Sequence, residues 1–179
     1  MFSFSIKSLL EREEPGSFLP VEGFLEADSV PLGKESLPLR KPISVKGRIT
    51  KLQDGLIEYR GKESASLTMP CDRCLTKVPV EVEVDSSLRF YTGKGKEILR
   101  EEDFDAVPIE QPLIELDEVI FHDIQMALPM KVLCREDCKG LCPVCGHHLN
   151  EGPCGCEESE TDPRWDLLKS FADTLEQEV

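Results

Sequence analysis

Eight cysteines and their spacing constrain this chain more than any other feature. Six fall between Cys134 and Cys156, as Cys134-x3-Cys138-x3-Cys142-x2-Cys145 followed by Cys154-x-Cys156, and two form Cys71-x2-Cys74 far upstream. A fold that uses them together must fetch the distant pair. Met1 to Leu10 carries a short apolar run with Lys7 inside it and no small-residue cleavage site follows, so no export signal is expected. No apolar run approaches the roughly 20 residues that span a bilayer. The chain is therefore expected in the cytoplasm, away from membranes. A reducing cytosol disfavours structural disulfides, so the cysteines read as thiolate ligands or redox groups. Four disulfides are the competing reading, but pairing within Cys142-x2-Cys145 or Cys154-x-Cys156 would close small, strained rings.

Zinc takes four thiolates tetrahedrally at about 2.3 Å, and a Cys-x2-Cys turn supplies two because its backbone amides help hold the sulfur charge. Pro70-Cys71-Asp72-Arg73-Cys74-Leu75 and Gly140-Leu141-Cys142-Pro143-Val144-Cys145-Gly146 are both such knuckles, the glycine after Cys145 permitting a left-handed turn. Eight thiolates suit two zinc ions with four cysteines each. One division, preferred because its second set is local, places Cys142, Cys145, Cys154 and Cys156 on one ion and Cys71, Cys74, Cys134 and Cys138 on the other. The competing division groups Cys134, Cys138, Cys142 and Cys145, leaving Cys71 and Cys74 with Cys154 and Cys156. His147 and His148 read as loop residues, since the thiolates already fill both sites. A thioredoxin-like redox pair expects a βαβ setting that neither knuckle has, and an iron–sulfur cluster is a further alternative. Sites closed by four cysteines leave no position for a catalytic water, and there is no Gly-rich phosphate loop, nucleophile elbow or paired-carboxylate arrangement. Neither catalysis nor a small-molecule substrate is expected.

Around the cysteines the pattern is α+β: an antiparallel β-meander packed by one or two helices, with cysteine zinc knuckles. Phe2, Phe4 and Ile6 alternate with serines at strand period, and a short helix over 9–14 ends at Pro15-Gly16. Residues 17–42, broken by Pro20, Gly23, Pro31, Gly33 and Pro38, read as loop with a short strand near Val21 to Leu25. The meander over 43–91 comprises a strand from Ile43 to Ile49, a turn at Asp54-Gly55, a short strand from Leu56 to Arg60, a turn at Gly61-Lys62, a strand from Ala65 to Met69, and the first knuckle. The alternating Val78, Val80, Val82 and Val84 then form a last strand reaching Tyr91. An edge strand is predicted from Pro112 to Leu116, with Asp117 as N-cap of a helix to Leu128 whose apolar stripe is Val119, Ile120, Ile124, Ala127 and Leu128. His122 on that helix reads as a surface or packing residue. After the cysteines, an acidic spacer over 157–161 leads to Asp162-Pro163, the start of an amphipathic helix with Trp165, Leu168, Phe171, Ala172 and Leu175. The expected organisation is a main domain over 1–139, whose zinc site joins the hairpin tip to the helix end, and a C-terminal knuckle and helix over 140–179.

A net charge of −14 argues against a broad basic surface for nucleic acid. One run is free of acids: Arg40, Lys41, Lys46, Arg48 and Lys51, with Arg60 and Lys62 across the meander. It is the candidate RNA contact, set against a solvated strand face. Between Glu97 and Asp123 ten acidic residues face one basic residue, Arg100. That stretch reads as a solvated face, or as a dock for a cationic protein.

The order Cys71-Asp-Arg-Cys74-Leu, Ala127-Leu128-Pro129, Cys134-x3-Cys138-Lys-Gly-Leu-Cys142-Pro-Val-Cys145-Gly, Leu149-Asn150, Cys154-Gly-Cys156 and Asp162-Pro163-Arg164 resembles the YceD family, the large ribosomal RNA subunit accumulation proteins of bacteria and plastids. The resemblance covers about residues 43–170. It implies a non-enzymatic role in accumulation of 23S ribosomal RNA and assembly of the large ribosomal subunit. The implied partner is a ribosomal RNA precursor or an assembly intermediate, met directly or through a protein. The alternative is a protein–protein adaptor whose acidic face binds a basic ribosomal or RNA-processing protein. In that family the first cysteine pair is the more general feature, which suits a core site plus an auxiliary one.

Overall fold

Alternation of inward and outward side chains, with apolar residues prevailing on the inward side, builds three long neighbouring strands. The computed structural model describes residues 2–99 and 105–156. In chain order these form β1 (Ser3–Ser5), α1 (Lys7–Leu10), β2 (Phe18–Leu25), β3 (Ser29–Leu32), β4 (Glu35–Gln53), β5 (Leu56–Pro70), β6 (Lys77–Tyr91), a 3-10 helix (Gly93–Ile98), β7 (Val107–Pro108), β8 (Leu113–Glu115) and α2 (Asp117–Met126). The chain divides into two compact units, Met1–Cys134 and Arg135–Val179. Every one of these elements belongs to the first, which is an α+β fold.

The main sheet has the order β2-β4-β5-β6-β7, with β3 paired to the start of β4 and β1 paired to β8 in a separate ribbon. Strands β4, β5 and β6 form the expected antiparallel meander, while the two-residue β7 joins β6 in parallel. One face carries the core: Ile43, Val45 and Ile49 of β4, Ile57, Tyr59, Ala65 and Leu67 of β5, Val82 and Phe90 of β6. Leu9 of α1 and Ile120 and Ile124 of α2 join them. Fully burying each aliphatic side chain stabilises the fold by about 1.5–3 kcal/mol.

Several expectations are corrected. No turn interrupts β5 at Gly61-Lys62. Gly61 pairs with Gly47 across the strands, and the Tyr59 side chain extends along the strand over it, so that a Cβ on Gly61 would lie 2.1 Å from Tyr59 Oη. The glycine makes room for a ring. Residues 17–42 are largely strand: β2, then a β3–β4 hairpin turning at Gly33 with φ +62°. Pro31 and Pro38 are tolerated there because this hairpin lies off the main path of the sheet, at an edge. The helix predicted over 9–14 is a single turn, α1. Leu116, not Asp117, is the N-cap of α2, which ends at Met126 rather than Leu128. The Asp117 carboxylate instead accepts the Phe2 backbone N–H, fastening β1 to the helix start. The acidic spacer and C-terminal helix predicted beyond residue 156 lie outside the described residues.

Candidate metal centres

The two knuckles are the same turn made twice. Cys71 N–H donates to Thr76 O at 2.8 Å and Leu75 N–H to Cys71 O at 2.9 Å; Cys142 N–H donates to His147 O at 2.8 Å and Gly146 N–H to Cys142 O at 2.9 Å. This geometry drives the residue after the second cysteine into the left-handed region, φ 72° at Gly146 and φ 62° at Leu75. A leucine pays a steric cost there that glycine does not.

Side chains outside the cysteine set hold the rest in place. The Asp72 N–H donates to Val132 O at 2.9 Å while its Oδ2 accepts Val132 N–H at 2.6 Å. This clamp docks the segment after Pro129 on the first knuckle, and Cys134 Sγ comes to 3.5 Å from Cys74 Sγ. Within the second unit Asn150 has the corresponding task. Its Oδ1 accepts the Lys139 N–H and Arg135 Nη2, both at 2.8 Å, and its Nδ2 donates to Cys138 Sγ at 3.3 Å. A bridge between Leu141 and His148 closes the second knuckle. Sequence reasoning missed the roles of Asp72 and Asn150, although both sit inside the cysteine motifs.

The sulfurs fall into two sets of four. Cys71, Cys74, Cys134 and Cys138 form one, and Cys142, Cys145, Cys154 and Cys156 the other; within each set the Sγ atoms lie within 4.8 Å of one another. A tetrahedron of 2.3 Å metal–sulfur bonds places its sulfurs about 3.8 Å apart, so both sets have the dimensions to hold a metal ion. The division that mixed Cys71 and Cys74 with Cys154 and Cys156 is not the grouping seen. Neither His147 nor His148 enters a set.

The local electrostatics agree with that geometry. Burial pushes the Cys71 thiol up, but the backbone N–H groups of Arg73, Cys134 and Cys74 outweigh it and bring it down to about 6. The N–H groups of Cys145 and Val144 bring Cys142 down to about 6. Cys156, hydrogen-bonded to Cys145, is pushed up to about 12. Four sulfurs this close cannot all ionise by themselves, and a bound cation is what lets them.

The basic run separates into three parts. Lys46 and Arg48 project from the open face of the sheet, where the register sets them opposite Lys62 and Arg60. Arg40 and Lys41 are exposed further along β4, with Lys41 Nζ 3.5 Å from Glu81. Lys51 does not belong to this surface: it is 3% exposed, and its Nζ donates to Arg12 O at 2.6 Å and to Leu10 O at 3.4 Å and pairs with Asp54 at 3.1 Å. It shares the inward parity of Val45, Gly47 and Ile49, which its charge disguises in the sequence. In the acidic stretch, Glu110, Glu115, Asp117 and Glu118 line a cleft of about 650 Å³ with Phe90 and Ile114 in its wall. Among the described residues no helix is long and apolar enough to cross a membrane.

Comparison with known proteins places these motifs. An uncharacterized protein of Mycobacterium tuberculosis is 32% identical over 133 residues, covering 72% of this chain and 63% of that protein. The chain thus spans less than two thirds of the length of this relative. The uncharacterized protein YlbN of Bacillus subtilis is 26% identical over 131 residues, 73% of this chain and 74% of that protein. The chloroplastic large ribosomal RNA subunit accumulation protein YCED homolog 1 of Arabidopsis thaliana is 24% identical over 170 residues, 80% of this chain and 51% of that protein. No solved structure matches. The model of the large ribosomal RNA subunit accumulation protein YceD matches residues 59–172, which include all eight cysteines, and the chain belongs to the YceD family.

Proposed function

We propose that this chain is a zinc-stabilised, non-enzymatic factor that supports accumulation of 23S ribosomal RNA and assembly of the large ribosomal subunit in the cytoplasm. It acts by binding precursor RNA or an assembly intermediate. The observation that carries this reading is family membership across a segment that contains both four-cysteine sets. Zinc is the metal of choice for closed four-thiolate sites built on Cys-x2-Cys turns, and its work here is to fix shape: Cys71, Cys74, Cys134 and Cys138 hold one ion, Cys142, Cys145, Cys154 and Cys156 the other. Depleting the chain from its host lowers 23S ribosomal RNA relative to the small-subunit RNA, and re-expressing it restores the ratio. An unchanged ratio on depletion refutes the reading.

A second reading has its own observation. The cleft rimmed by Glu110, Glu115, Asp117 and Glu118 suits a basic protein segment, which favours an adaptor role. Partners that stay bound after nuclease treatment support the adaptor, and partners released by it support RNA tethering.

A further inference from the structure

The outward face of the main sheet collects two features that a solvated strand surface does not need. The first is charge against charge. In the β4–β5 ladder Lys46 stands directly opposite Lys62, and Arg48 directly opposite Arg60. Like charges in directly opposed positions destabilise a sheet, and here two such pairs are neighbours. Carboxylates offset part of this, with Glu22 3.4 Å from Lys46, Glu83 2.9 Å from Lys62 and Glu58 2.8 Å from Arg60. Arg48 has no carboxylate partner among the described residues. The two lysine pairs are exposed, weak and screened by salt, so a phosphate can take over either lysine at little loss, and the buried Glu58 keeps Arg89 at 3.5 Å when Arg60 turns to a phosphate.

The second feature is aromatic. On β2, Phe18 pairs with Thr50 and Phe24 with Ser44, so both rings stand on the same face as Lys46 and Arg48, one on each side of them. They are 52% and 65% exposed, and the inward positions Val21 and Leu25 on the same strand show that β2 has an apolar side elsewhere. Six residues apart on one strand, the two rings are separated by about 20 Å.

We propose that this face of β2, β4 and β5 binds single-stranded RNA, with unpaired bases stacked on Phe18 and Phe24 and the intervening phosphates held by Arg48, Arg60, Lys46 and Lys62. The inference rests on the RNA reading of the function and adds where the RNA lies and in what form. Exposed rings on an open sheet face offer stacking only to bases that are free of a helix, and a duplex would meet the cations alone. The chain carries a net charge of −14, so affinity comes from this local arrangement and from stacking.

The test is equilibrium binding of the full chain to a mixed-sequence single-stranded RNA and to the same sequence as a duplex, across a salt series. The unmodified chain binds the single strand in preference to the duplex. Phe18→Ala and Phe24→Ala each weaken single-strand binding about fivefold or more. Arg48→Gln with Arg60→Gln weakens it and lowers the magnitude of the logarithmic salt slope by about 1.4, the value for two lost phosphate contacts on single strands. Lys7→Gln with Lys131→Gln, the same charge change away from this face, leaves binding unchanged. Circular dichroism and metal content matching the unmodified chain show that each variant is folded. If the chain binds single-stranded RNA and folded Phe18, Phe24, Arg48 and Arg60 variants bind it as well as the unmodified chain, the surface is wrong while the RNA reading stands. If the unmodified chain binds neither form, direct RNA binding fails altogether, and a protein partner at the acidic cleft takes its place.

Discussion

Replacing Tyr59 by phenylalanine probes a fully buried carboxyl group in the core. Glu63 is fully buried on the inner face of β5, where Tyr59 Oη donates to its Oε1 and Ser86 Oγ donates to its Oε2, each at 2.6 Å. Burial holds the Glu63 carboxyl above its ordinary value of about 4.5; the two hydroxyl donors pull it back only in part, and Asp123 and Asp85 push it further up. A folded value above the unfolded one means that this group's contribution to stability is full below about pH 4.5 and is lost as pH rises through the folded value. Tyr59→Phe removes one donor, so the folded value rises again and the loss deepens. Where Glu63 is protonated the missing bond is a neutral one, about 0.5–1.5 kcal/mol, and where it is ionised the bond is one made to a carboxylate, about 1.5–3 kcal/mol. The destabilisation should therefore grow by about 1 kcal/mol as pH rises through the folded value of Glu63. With a urea slope of about 2 kcal/mol per molar, the midpoint above that pH falls by about 1 M. Urea unfolding of both proteins, followed by circular dichroism, measures this, and loss of metal in acid cancels because it is common to both. A loss under about 0.5 kcal/mol at every pH, or one that does not change with pH, refutes the reasoning.

Three further perturbations separate the parts. Gly61→Ala places a methyl against Tyr59 Oη and Glu63 Oε1 and should cost about 1–3 kcal/mol in thermal or urea unfolding, since both side chains are fixed by their hydrogen bonds. Leu75→Gly relieves the left-handed backbone of the first knuckle and should stabilise the chain by about 1 kcal/mol, while Gly146→Ala at the matching position of the second should destabilise it by a similar amount. Cys71→Ser should loosen the sheet, read as faster hydrogen exchange along β5 and β6, whereas Cys154→Ser should leave those amides protected; equal effects of the two would unseat the division of the cysteines into two independent sets.

The antiparallel meander and the two cysteine knuckles were legible because they follow from local rules. Alternation from Val78 to Val84 dictates a half-buried strand, and Cys-x2-Cys followed by a left-handed residue dictates a knuckle. What escaped was set by packing between distant segments. Gly61 looks like a turn until the ring of Tyr59 is laid over it. Asp117 looks like a cap until the N-terminal strand arrives to claim its carboxylate. Lys51 looks like part of a basic surface until parity places it inward and three oxygens gather round its ammonium. The strands within 17–42 were hidden because prolines and glycines punctuate an edge hairpin as readily as a loop.

Native mass spectrometry of the intact chain, read for bound metal, tests the central claim most directly. The account predicts two zinc ions per chain, one in Cys71→Ser and one in Cys154→Ser. A chain that folds with no metal, or that binds a single ion which either substitution abolishes, would contradict it.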